Sequence, residues 1–173
     1  MTRLLSVNSV ERGEVAIRID ATSPTRGVAI LDLEIGDPST ATPLHWRVGE
    51  GTKPPLDLCL DGDGHLVGIQ IVLQDQRVPV ADEPRLVAEE LGVPRFAVGD
   101  WPDDRYLDLR ARVHETRLAS GELCASIDAP SAIRSIRVGA GLVLGIDEGD
   151  RLVELLVGPL DTMQWQLLAL AAP

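Results

Sequence analysis

The sequence predicts an all-β or β-dominated protein: two duplicated antiparallel β units, packed as a sandwich or roll about a pseudo-twofold, with one connecting helix over residues 82–92. Three observations carry this. The dominant hydrophobic period is two rather than 3.6. The alternating runs are short and separated by segments rich in Gly, Pro and Asp. And the pattern occurs twice, with matching residues.

In chain order, Val15, Ile17 and Ile19 of 14-EVAIRID-20 share one face. Leu31, Leu33 and Ile35 of 27-GVAILDLEI-35 alternate with Asp32 and Glu34. Residues 45-HWRV-48 make a short strand, and the leucines of 56-LDLCL-60 alternate with Asp57 and Cys59. After 61-DGDG-64, Val67, Ile69, Ile71 and Leu73 share a face. These are half-buried strands of a mainly antiparallel sheet.

The pattern then changes. In 82-DEPRLVAEELGVP-94, Asp82 can cap a helix, Pro84 fits its first turn, Gly92 can end it and Pro94 blocks continuation. Strands resume at 105-RYLDLRARV-113, 121-GELCASID-128, 135-SIRV-138, 141-GLVLGID-147 and 151-RLVELLV-157. His114 follows the first of these. The final 163-MQWQLLALAA-172 suits either a last strand or a short helix, and its apolar content marks it for homodimer contacts.

The duplication is visible in the residues. 47-RVGEG-51 aligns with 137-RVGAG-141, 56-LDLCLD-61 with 142-LVLGID-147, and 66-LV-67 with 152-LV-153. The offset changes from 90 to 86, which the insertion Thr52-Lys53-Pro54-Pro55 accounts for. The inward sets Leu56, Leu58, Leu60 and Val67, Ile69, Ile71 then match Leu142, Leu144, Ile146 and Val153, Leu155, Val157. The expected organisation is repeat 1 over 1–81, a helical linker over 82–94 and repeat 2 over 95–173.

The segment 61-DGDGHLVGIQI-71 resembles a hairpin signature, D-x-x-G-x-L-V-G-I-E-I, of small uncharacterised bacterial β-domains. Asp61, Gly64, Leu66, Val67, Gly68, Ile69 and Ile71 match, and Gln70 replaces the acid. The second copy keeps Asp147, Leu152 and Val153 but has Glu154 in place of the glycine. The resemblance implies a fold unit of about half this chain and carries no chemistry with it.

The 173 residues hold a net charge of −11, with a single lysine, Lys53, and scattered arginines. Nucleic-acid binding needs clustered cations and is not expected. No apolar run reaches membrane-spanning length and no secretory signal opens the chain, so the expectation is a cytoplasmic protein with two free thiols, Cys59 and Cys124.

Candidate chemistry is sparse. An EF-hand reading of the acidic turn fails, because a loop started at Asp61 puts His65, Leu66 and Val72 where ligand, glycine and glutamate are required. Asp-Gly turn chemistry accounts for it. His45, His65 and His114 show no metal-ligand spacing, and no nucleophile elbow or phosphate loop is present. The sequence therefore points to no catalytic residue, no metal and no cofactor. The leading functional expectation is a non-enzymatic acidic interaction module, of the immunity or antitoxin kind, that meets a basic protein partner. Its contact loop would be Asp100, Trp101, Asp103 and Asp104, with Trp101 as the aromatic anchor. The rival is a small-molecule-binding protein or enzyme with an anion pocket at the seam between the repeats, lined by His45, Trp46, Arg47 and Arg137.

Overall fold

A computed structural model describes residues 3–50, 53–82, 89–128 and 130–173. The strands are β1 (Val7–Glu11), β2 (Ile17–Thr25), β3 (Val28–Ile35), β4 (Leu44–Val48), β5 (Leu56–Leu60), β6 (Leu66–Gln74), β7 (Val80–Ala81), β8 (Glu89–Leu91), β9 (Val93–Phe96), β10 (Tyr106–Leu109), β11 (Val113–Leu118), β12 (Leu123–Ile127), β13 (Arg134–Gly139), β14 (Leu142–Ile146) and β15 (Leu152–Val157). Helix α1 (Thr162–Ala169) ends the chain. The fold is β-dominated.

The duplication is a duplication of topology. One sheet runs β10-β4-β5-β6-β3-β2, the other β7-β11-β12-β15-β14-β13-β8. Removing the edge strands β7, β8 and β10 leaves the same order in both, with β11 to β15 in the places of β2 to β6. Alternation does what the sequence predicts: Leu44, Trp46 and Val48 of β4 and Leu56, Leu58 and Leu60 of β5 face inward. Ile136, Val138, Leu142, Leu144 and Ile146 do the same in the second sheet, and both sets join one continuous apolar core.

One register detail differs from expectation, and it does so in both copies. A bulge falls between Cys59 and Leu60, and another between Gly145 and Ile146. A bulge adds a residue to one strand and breaks the alternation there. Leu66 and Leu152, rather than Val67 and Val153, therefore join the central core.

The units exchange their edges. β10, from the second half of the chain, pairs in parallel with β4; β7, from the first half, pairs in parallel with β11. The strand expected over 105–113 is thus two strands in two sheets, and His114 lies within β11 rather than after a strand. Strands β1 and β9 pair as a separate antiparallel ribbon. The chain ahead of unit one docks on the acidic turn of unit two, where Val7 N donates to Asp150 O (2.8 Å). The chain ahead of unit two docks on the turn of unit one, where Phe96 N donates to Gly64 O (2.8 Å). Gly64 has φ +91°, and a Cβ there would lie 2.1 Å from Phe96 O. Only glycine admits that crossing strand.

The helix expected over 82–92 falls largely outside the described residues, at 83–88. Its last turn is strand: Glu89–Leu91 form β8, paired in parallel with β13. Gly92 is no helix cap; its N–H donates to Arg137 O (3.1 Å), and a Cβ would meet Glu11 O at 2.7 Å. The C-terminal segment resolves as helix. Asp161 accepts from Gln164 N (2.8 Å) while the Gln164 side chain accepts from Asp161 N (2.9 Å), a reciprocal cap that starts α1. Trp165 donates to Gly121 O (3.1 Å) and Gln164 to Ile19 O (3.1 Å), so α1 ties the two units together. Met163 and Leu170 stay exposed. No helix among the described residues is long and apolar enough to cross a membrane.

Candidate functional site

The outward faces of the two sheets have diverged. In the first sheet, alternation turns His45 and Arg47 of β4, Asp57 and Cys59 of β5 and Gln70 of β6 to the outside. Antiparallel pairing sets His45 opposite Cys59 and Arg47 opposite Asp57. In the second sheet the equivalent positions hold Ser135, Arg137, Val143, Gly145 and Leu156. Val143 and Leu156 form a small apolar cluster there with Leu118 and Cys124. The set of histidine, aspartate, cysteine and glutamine is found at these positions in one copy of the duplicated scaffold only.

A groove of about 340 Å³ lies over the polar face, lined by His45, Arg47, Lys53, Asp57, Gln70 and Tyr106 among others. His45 Nδ1 is 3.1 Å from each Asp57 carboxylate oxygen and 3.6 Å from Cys59 Sγ. Tyr106, delivered by the exchanged strand β10, stacks on the His45 ring at 4.9 Å between centroids. The Arg47 guanidinium lies 4.3 Å from the Tyr106 ring centroid and grips Asp108 through Nε (2.7 Å) and Nη2 (2.9 Å). That bond to Asp108 raises Arg47 above its ordinary value.

Burial, reinforced by Asp57 and Asp32, pushes the Cys59 thiol up to about 12. It is a neutral thiol at physiological pH and a poor nucleophile. A Cys-His-Asp relay also needs cysteine and carboxylate on different ring nitrogens. Here both crowd Nδ1.

The space over Cys59 has its own cause. Its partner in β6 is Gly68. In the second copy the arrangement is reversed, with Gly145 opposite Glu154. A Cβ on Gly145 would meet Glu154 Cβ at 2.8 Å, whereas one on Gly68 would lie 3.7 Å from Cys59 Cβ. The pair is thus tightly packed in unit two and less crowded in unit one, where Cys59 faces a glycine.

The seam residues expected from sequence are only partly brought together. His45 and Arg47 share the groove. Trp46 alternates to the other side, is fully buried, and donates its indole N–H to Arg3 O (3.3 Å). Arg137 lies on the other sheet, bonded to Glu89. The paired arginines do one job twice: Arg47 fastens β10 to β4, and Arg137 fastens β8 to β13. They are edge clamps, and the four residues do not line one pocket.

In the acidic loop, Asp100 pairs with Arg3 (3.4 Å) and Asp104 accepts from Tyr106 N (3.2 Å). Asp103 is exposed. Trp101 is half-buried against the core and donates its indole N–H to Arg105 O (3.1 Å). It packs against the core instead of projecting as an anchor.

The acidic turn is structural. Asp61 Oδ1 accepts from Asp63 N and His65 N (2.9 Å each), and Oδ2 faces His65 Nδ1 (3.2 Å). Burial works to raise this carboxyl, but the His65 and Asp63 amides outweigh it and hold it below the usual range. Asp147 repeats the scheme: Oδ1 accepts from Gly149 N (2.8 Å) and Arg151 N (3.0 Å), and Oδ2 from Arg151 Nε (3.0 Å). Where one copy has histidine, the other supplies its own cation.

A second groove, of about 430 Å³, opens between β7 and α1. Val78, Val80 and Leu168 line it with Arg117, whose guanidinium lies 4.5 Å from the Trp165 ring centroid.

Sequence reasoning placed His45, Asp57 and Cys59 singly and missed the cluster. The usable signal was the alternation itself, which puts all three on the polar face of neighbouring strands. No protein-family model matches the chain. No curated protein sequence matches it either.

Proposed function

We propose that the protein is a non-enzymatic binding protein that takes a small polar ligand in the groove over β4, β5 and β6. The observation that carries this reading is the divergence of the two copies. The edge clamps and Asp-centred turns are kept in both, because the fold needs them. His45, Asp57, Cys59, Gln70 and Tyr106 are found in one, and no structural requirement visible in the other copy calls for them. A half-buried neutral thiol and a histidine met twice at the same nitrogen argue for holding a ligand rather than transforming it.

The test is native mass spectrometry of the chain purified from its source without harsh desalting. Wild type carries an added organic mass; Lys53→Glu and Gln70→Leu, which alter the groove wall, lose it. An identical adduct in both variants places the ligand elsewhere, and no adduct in wild type refutes the reading.

The second reading is an acidic interaction surface for a basic protein. It is favoured by the net charge of −11 and by the Asp100 side chain, which is 81% exposed despite its contact with Arg3. Such binding would weaken steeply with salt.

A further inference from the structure

Three different donor types converge on one point beside the groove, two of them in its lining. Nδ1 of His45, a carboxylate oxygen of Asp57 and Sγ of Cys59 all lie within 4.8 Å of one another. With Zn–N near 2.0–2.1 Å and Zn–S near 2.3 Å, a tetrahedral ion holds ligating N and S roughly 3.6 Å apart, and N and O roughly 3.3 Å apart. The observed separations are 3.6 Å and 3.1 Å. One ring nitrogen can make one good hydrogen bond, to the carboxylate or to the sulfur. A shared cation satisfies all three groups at once.

We propose that His45, Asp57 and Cys59 form a mononuclear site for a zinc-class divalent ion, resting on the reading of this groove as the binding site. The mixed nitrogen, oxygen and sulfur set selects zinc or cobalt over magnesium or calcium, which take oxygen shells. Three protein donors leave the fourth tetrahedral position open. The groove shared by His45 and Asp57 supplies the room for a water or a small anion there, with Lys53 along its wall. On binding, the Sγ–H bond of Cys59 breaks, its electron pair goes to the ion and one proton leaves to solvent.

Two further features fit a built site. Tyr106 stacks on His45 and is itself held under Arg47, so the ring is packed from outside; side chains whose rotamers are locked by packing make a pre-organised site. And the unit-two positions of the three donors are Ser135, Val143 and Gly145, so the whole set differs together. The turn group Asp61, Asp63 and His65 also lies within ligand range. Its central carboxylate, however, is already occupied by backbone amides, as Asp147 is in the second copy.

The experiment uses the full chain, stripped with chelator and titrated with Co²⁺ alone, then with Zn²⁺ as competitor. Expected are one ion per chain, thiolate-to-cobalt charge-transfer absorption, displacement by zinc and release of about one proton per ion. Cys59→Ser, nearly isosteric, abolishes the charge-transfer band. It weakens zinc binding more than about 100-fold, beyond the 10–100-fold carried by outer-shell partners. His45→Gln weakens binding comparably, and Asp63→Asn leaves it unchanged. Circular dichroism establishes that each variant is folded. Absence of charge-transfer absorption, wild-type affinity in Cys59→Ser, or loss of binding in Asp63→Asn overturns the proposal. A chain that fails here yet loses its organic adduct in Lys53→Glu keeps the groove and refutes the ion. One that binds cobalt through Cys59 but carries no organic adduct keeps the ion and refutes the small-ligand reading.

Discussion

Glu115 gives the protein a stability that falls with rising pH. It occupies an inward position of β11, opposite Ala125, and is 8% exposed. Its Oε1 has no hydrogen-bond partner among the described residues. Burial pushes the carboxyl up to about 7 from an ordinary 4.5, against the opposing pull of its own backbone amide and the Gln76 side chain. The folded chain therefore keeps a proton that the unfolded chain has already lost between pH 4.5 and 7. Where the native state binds more protons, stability falls as pH rises. The stabilisation is complete below 4.5 and is lost as pH climbs through 7. A shift of this size, at 1.36 kcal/mol per pH unit, corresponds to about 3 kcal/mol. Glu115→Gln keeps the shape and removes the titration. Urea unfolding from pH 4 to 9 should give matching stabilities for wild type and variant at pH 4. By pH 8 the variant should be more stable by about 3 kcal/mol, roughly 6–12 °C in Tm for a chain of this size. Titration of the remaining acids is common to both and cancels in the difference. Parallel curves across that range, or a variant less stable at pH 8, would refute the argument.

Removing the Arg47–Asp108 clamp should loosen β10 at modest cost, because Asp108 is largely exposed. A double-mutant cycle to alanine is expected to give a coupling of about 0.5–1 kcal/mol that shrinks in high salt, and zero coupling would show that the strand pairing needs no clamp. Gly64→Ala combines a left-handed backbone with a clash against Phe96 O; a loss of at least about 2 kcal/mol in chemical denaturation is expected, and a neutral result would place β9 elsewhere. Burial pushes Cys124, like Cys59, up to about 12. At pH 8 the native, chelator-treated chain should therefore be alkylated about three orders of magnitude more slowly than an ordinary cysteine. Unfolding in denaturant should release both thiols, and fast native labelling of either would contradict its raised value.

Much of the architecture is legible in the sequence because alternation is a local property. Val15 to Ile19, Leu31 to Ile35 and Leu56 to Leu60 announce their faces without reference to any partner. The duplication survives in RVGEG and RVGAG because both copies need the same arginine clamp. The Asp-Gly turn is readable as a turn because its carboxylate bonds its own backbone. Strand β11 is concealed by its composition: VHETRL places Glu115 at an inward position, where alternation leads one to expect an apolar residue.

By itself, then, the sequence determined the β class, most of the inward residues and the presence of two like units. The tertiary structure decided which strand lies beside which. β10 crosses to the first sheet and β7 to the second, β8 becomes an edge strand, and α1 closes the seam. The groove depends on those choices. His45, Asp57 and Cys59 are 12 and 2 residues apart, a spacing that carries no meaning until antiparallel register places 45 opposite 59. Tyr106 arrives only through the exchanged strand. Face is set by the neighbouring residue, but register and partner are set by hydrogen bonds between distant segments, and the chemistry of this protein is written in the register.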